Sequence, residues 1–165
     1  MRKVHLLLVA VFGFLTTACI GLMVDWAPVE LYIEAVDSEG KSIISPDMPD
    51  MTLTFKGQVY PVQRMQGEGA LPTKAYAAFM YGLIAQPVNT EDGSSYYRLY
   101  FGEIDGEEDM DEDILLNWPD GSEDVIHYHC SGHSTLFGPT CNRSWKLNGK
   151  RHEGYTFKFT GKSLR

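Results

Sequence analysis

The sequence predicts an all-β protein: an antiparallel β-sandwich, immunoglobulin-like or prealbumin-like, of about seven or eight short strands. Three observations carry this. Short segments repeatedly alternate apolar and polar residues with period two. Residues with definite turn chemistry separate them. Aromatics make up 12% of the chain, with nine Tyr and eight Phe, which suits pleated, half-buried surfaces.

The first strand is read from Val29, Leu31, Ile33 and Ala35, which alternate with Glu30, Tyr32 and Glu34. Asp37-Ser38-Glu39-Gly40 supplies a turn, and Ile43-Ile44 resumes before Pro46 and Pro49 interrupt. Thr52–Phe55, Lys56-Gly57 and Val59-Tyr60 read as a hairpin, and residues 64–75 as a loop. The apolar run Tyr76–Ala85 is read as a strand. A short helix near 74–85, with Thr73 as cap and Pro87 as stop, is the alternative, because periodicity does not decide a run of this kind.

The second half is plainer. Tyr97, Leu99 and Phe101 form one strand, and Ile114, Leu116 and Trp118 another. Pro119-Asp120-Gly121-Ser122 makes a turn in which Pro presets φ, and Val125–Cys130 returns. Asn148-Gly149 after Trp145 and Leu147 is a strong hairpin signal. Tyr155, Phe157 and Phe159 close the domain.

The N-terminus predicts export. Arg2 and Lys3 precede an apolar run from Leu6 to Leu15, and Thr16-Thr17-Ala18 lead to Cys19. That is the layout of a secretory signal. Residues 1–18 are therefore expected to be removed, 19–28 to form a tether, and 29–165 to form one sandwich domain. Leu15-Thr16-Thr17-Ala18-Cys19 resembles the lipobox of bacterial lipoproteins, in which the Cys becomes the lipidated first residue. Here Thr16 stands three before the Cys, where Leu is usual, so ordinary cleavage after Ala18 is the competing reading. No interior stretch reaches the ~20 apolar residues of a membrane span.

Charge excludes one class of partner. The full chain carries 14 Lys and Arg against 22 Asp and Glu, a formal charge of −8. Removing Arg2 and Lys3 leaves 12 cations and a charge of −10. Such a chain is repelled by phosphate backbones, so nucleic acid is not an expected partner.

The start, with "DWAPVELYIEAVDSEG", "YYRLYFGEIDG" and "LNWPDGSEDVIHY", is similar to small lipoproteins of unknown function from gut Bacteroidetes. The likeness covers most of the mature chain. It implies a cell-envelope location and a β-sandwich, and it carries no catalytic residues to transfer.

Three constellations are candidates for chemistry. Asp109, Asp111 and Asp113 have the spacing with which oxygen ligands surround calcium, although the Gly and Glu of an EF-hand loop are missing; a solvated hairpin loop is the simpler reading. His127 and His129 share a face if their segment is a strand, and His133 can curl back to complete a zinc or copper site; the alternative is surface histidines on an edge strand. No acid in that segment supplies a partner to orient them. Trp26, Trp118, Trp145, Tyr96, Tyr97 and Tyr100 are core or strand-pairing aromatics, or, for Tyr96 and Tyr100 on one face, a surface that stacks on sugar rings.

Cys130 and Cys141 are expected to form a disulfide across a Gly- and Ser-rich loop, since an exported chain with Cys19 modified keeps an even pair. Cys130 as a soft metal ligand competes with this. No nucleophile–base motif or phosphate loop is present, so no catalytic residue and no cofactor is expected. The sequence thus points to a non-enzymatic binding or structural module, an outer-membrane lipoprotein facing the periplasm or the surface. Its acyl anchor would hold it to the lipid bilayer, with a glycan or another envelope protein as ligand. Metal binding or metal-dependent hydrolysis by the histidines or the Asp loop is the second reading.

Overall fold

The computed structural model describes residues 28–48, 50–65, 82–106, 109–135 and 138–163. Among the described residues there is no helix, and ten strands make up the fold. They are β1 (Pro28–Val36), β2 (Thr52–Phe55), β3 (Gln58–Arg64), β4 (Leu83–Asn89), β5 (Ser95–Asp105), β6 (Met110–Asn117), β7 (Glu123–Thr135), β8 (Gly138–Leu147), β9 (Lys150–His152) and β10 (Thr156–Thr160).

The strands follow one continuous order, β10-β1-β5-β4-β3-β2-β6-β7-β8-β9. β3 is the corner: it pairs antiparallel with β2 and parallel with β4. The arms on either side of it pack face to face, because each strand has one apolar face that must leave water. Phe55 of β2 meets Phe101 of β5 with ring centroids 5.8 Å apart. Trp145 of β8 meets Phe157 of β10 at 5.5 Å, and Trp118 meets Phe159 at 5.1 Å. One hydrophobic cluster fills the space, drawing Leu31 and Ile33 from β1, Leu53 from β2 and Ile114 and Leu116 from β6.

The all-β expectation holds, with three differences in detail. The ladders β1–β10 and β3–β4 are parallel, so the sandwich is not wholly antiparallel. The acidic run becomes strand from Met110 onward: Met110 and Ile114 point into the core while Asp111 faces solvent, so β6 alternates with period two despite its carboxylates. The segment between Cys130 and Cys141 is also no loop, since β7 continues to Thr135 and β8 begins at Gly138. The strand reading holds for Leu83–Ala85; residues 76–81 of that run, and with them most of the helix alternative near 74–85, lie outside the described residues.

Local signals explain the turns. Asn148 and Gly149 both take positive φ, 50° and 78°, as a two-residue hairpin loop requires. Asn148 also ties this turn to the start of β7: its N–H donates to Val125 O at 2.8 Å, and its Oδ1 accepts from Val125 N at 2.9 Å. β6 stops pairing at Met110↔Cys130, but the β7–β8 ladder runs on to Thr135↔Gly138. A two-stranded arm therefore extends past β6. Cys130 and Cys141 sit at its base at disulfide distance, Cα–Cα 6.2 Å, within the range a bridge spans.

Candidate functional site

The outward face of β6 and β7 gathers the histidines and aspartates that the sequence singles out. On β7, Ile126, Tyr128 and Cys130 are buried, so the alternation turns His127 and His129 outward. β7 is a central strand, and its neighbours decide what the histidines meet. In register, His127 lies between Asp113 of β6 and Lys146 of β8, and His129 between Asp111 and Ser144. Lys146 in turn faces Arg151 of β9. Acid, imidazole and cation follow one another across four strands.

The side chains are in contact. His127 Nδ1 is 2.9 Å from Asp113 Oδ1, and its Nε2 is 3.1 Å from Asp111 Oδ1. His129 Nδ1 is 3.2 Å from the same Asp111 oxygen. The two constellations that the sequence presents separately, histidines and aspartates, are thus one quartet. The carboxylate partner missing from the histidine segment comes from the adjacent strand. Of the other expected ligands, Asp109 is turned away, its carboxylate accepting from Gly132 N. The side chain of His133 lies outside the described residues, as does Cys19. Asp111 and Asp113 stand on strand β6 rather than in a loop, and a strand holds same-face side chains about 6.6 Å apart. Among the described residues no three His, Cys, Asp or Glu side chains stand in a ready-made metal geometry.

The charge pattern extends beyond the quartet. Residues 91–124 hold 13 acids and one cation, Arg98, whereas residues 125–165 hold seven cations and one acid, Glu153. Because β6 comes from the first stretch and β8 and β9 from the second, this face is negative along one side and positive along the other.

At the β8–β9 edge, on the inward side of the sheet where Arg143, Trp145 and His152 share the face of buried Tyr128, lies a cleft of about 240 Å³; Arg151, Glu153 and Tyr155 are also among its lining residues. Its floor is aromatic. Trp145 is buried, Tyr155 is 45% exposed, and their rings meet edge to face at 6.1 Å. His152 stacks on Phe157 at 4.1 Å and contacts Thr156 O through Nε2 at 3.0 Å. Arg143 donates to Gly106 O at 2.7 Å, which fixes one arm of its guanidinium. Arg151 makes no ion pair among the described residues. Beneath the cleft, burial pushes the Tyr128 phenol up, only partly opposed by the nearby Arg143 charge.

Tyr96 and Tyr100 lie on the opposite outer face, on the same side of β5 as expected. Tyr100 is buried, at 1% exposure, with its ring lying over Gly102. Tyr32 packs against it at 5.6 Å and is capped by the Arg98 guanidinium 3.9 Å above its ring. Tyr96 donates to Glu34 Oε1 at 3.1 Å, and Lys158 pairs with Glu34 Oε2 at 3.3 Å. Tyr96 is thus the less buried of the two expected rings. Trp118 and Trp145 belong to the core, and Trp26 lies outside the described residues.

No family model, curated protein or solved structure matches the chain. Sequence reasoning passed over Arg143, Arg151 and His152, and read Tyr155 only as part of the closing strand, which begins at Thr156. A signal for them existed in the reversal of charge after Asp124.

Proposed function

We propose that this chain is a non-enzymatic binding module of a Gram-negative cell envelope, anchored through a lipidated Cys19. Its ligand is a sugar ring carrying a carboxylate, held in the cleft between β8, β9 and the start of β10. The observation that carries the reading is the exposed Tyr155 ring in a cleft bordered by Arg143 and Arg151 on an otherwise acidic chain. An aromatic ring supports the apolar face of a sugar, and Arg presents a planar fork that matches a carboxylate. The cleft is smaller than the ~300–1,000 Å³ of drug-sized sites, which favours one ring over an extended chain. The basic residues, apolar run and small-residue exit before Cys19 support the anchor.

Calorimetry with glucuronate-containing and neutral oligosaccharides tests the reading. Acidic sugars should bind, and Arg151→Ala should weaken them at least tenfold. Equal binding of neutral sugars, or no loss in Arg151→Ala, would show the ligand class to be wrong.

A further inference from the structure

The His–Asp quartet on β6 and β7 poses a bonding problem of its own, independent of the cleft. Both nitrogens of His127 face carboxylate oxygens, Nδ1 toward Asp113 at 2.9 Å and Nε2 toward Asp111 at 3.1 Å. A neutral imidazole has one N–H, so one of these contacts sets a lone pair against an anion. His129 Nδ1 adds a third nitrogen at 3.2 Å from the same Asp111 oxygen. Two arrangements resolve this: a protonated ring that donates through both nitrogens, or a cation between Asp111 and the imidazoles.

We propose that His127 Nε2, His129 Nδ1 and the Asp111 carboxylate bind one divalent transition-metal ion of the zinc class, with water completing its shell. The spacing suits this. Ligands at zinc's ~2.0–2.1 Å bond length stand about 3.3 Å from one another in a tetrahedron, close to the two nitrogen–oxygen separations around Asp111. Asp113 supplies the second half of the site. By accepting the His127 Nδ1–H it fixes the tautomer that leaves Nε2 free for metal, the carboxylate–histidine–metal arrangement common to such sites. Two imidazoles favour zinc, copper or nickel over calcium, which takes oxygen ligands. The donors do not yet surround a common point. His129 and Asp111 are 48% and 72% exposed, free enough to rotate onto an ion.

The test is isothermal titration of zinc chloride into the untagged full chain in detergent, with calcium chloride in parallel. One equivalent of zinc should bind and calcium should not compete. His127→Ala and Asp111→Asn should each weaken zinc at least tenfold. Asp113→Asn should weaken it roughly tenfold to a hundredfold, while Arg64→Ala changes nothing. Nitrogen-15 spectra of the imidazoles give a separate readout: zinc should load Nε2 of His127 and Nδ1 of His129. No zinc binding by the parent chain, undiminished binding by a His127→Ala chain that retains its far-ultraviolet spectrum, or metal on other nitrogens would overturn the proposal.

Discussion

Strand β7 carries charge in two opposite ways along its length. Near its start, Asp124 points between the sheets and is closed in: it accepts from Trp118 Nε1 and Asn148 Nδ2, both at 2.7 Å, and pairs with Lys162 Nζ at 2.6 Å. Lys162 lies over the Trp118 ring and donates to Ser122 Oγ. Farther along, His127 and His129 point outward and meet carboxylates across an open face. A buried carboxylate with every donor in place holds structure together, here by fastening the C-terminal end of the chain to the Pro119–Ser122 turn. Exposed carboxylates facing imidazoles contribute little to folding and are available to a ligand.

The largest effect should come from breaking the closed end. Asp124→Ala leaves the Lys162 ammonium and the Trp118 N–H without their partner in a buried setting. It should cost about 3–5 kcal/mol in urea unfolding. Proton linkage sharpens the point. Burial pushes the Asp124 carboxyl up, but hydrogen bonds from Lys162, Asn148 and Trp118, with the Lys162 charge, outweigh it, and the net direction is down. A depressed carboxylate stabilises the fold above its ordinary value of ~3.9, and that contribution is lost as pH falls through the lower folded value. The stability gap between the parent chain and Asp124→Asn should therefore be full at neutral pH and shrink below about pH 4. A gap that grows on acidification would contradict the assignment.

A second closed region is the outer face around Tyr100. A Cβ at Gly102 would come within 2.8 Å of Tyr100 Cζ, so the ring would have to leave its slot. Gly102→Ala should cost about 1–3 kcal/mol, the usual range for overpacking. A neutral result would mean that Tyr100 moves freely and that this face is less closed than the buried ring implies.

On the open face the expected stability effects are smallest. His127→Ala and Asp111→Asn should each change unfolding free energy by no more than about 0.5 kcal/mol in the absence of metal. A loss of 2 kcal/mol or more would make the quartet a structural element like Asp124.

The parts of this contrast differed in how far the sequence disclosed them. β1 was legible because Val29, Leu31, Ile33 and Ala35 alternate without interruption, and the 148–149 turn because only a few residues accept two successive positive φ values. The shared face of His127 and His129 followed from the pleat alone. The pairing of Cys130 with Cys141 was anticipated, but the connecting segment was read as a loop. The strand character of residues 110–113 was hidden, because Asp is a poor strand former and the alternation legible at Ile114 and Leu116 is masked there by the carboxylates. The cleft was hidden for a related reason. It joins residues of β8, the three-residue β9 and the turn into β10, and so short a strand leaves almost no periodic signal.

The central claim is that the cleft at the β8–β9 edge binds an acidic sugar. The most direct measurement is a titration of the nitrogen-15 labelled chain with a glucuronate disaccharide, followed by amide shifts. Saturable shifts confined to residues 143–155 are predicted, leaving Tyr96 and Arg98 unmoved. Shifts centred on Tyr96, or none at millimolar sugar, would contradict it.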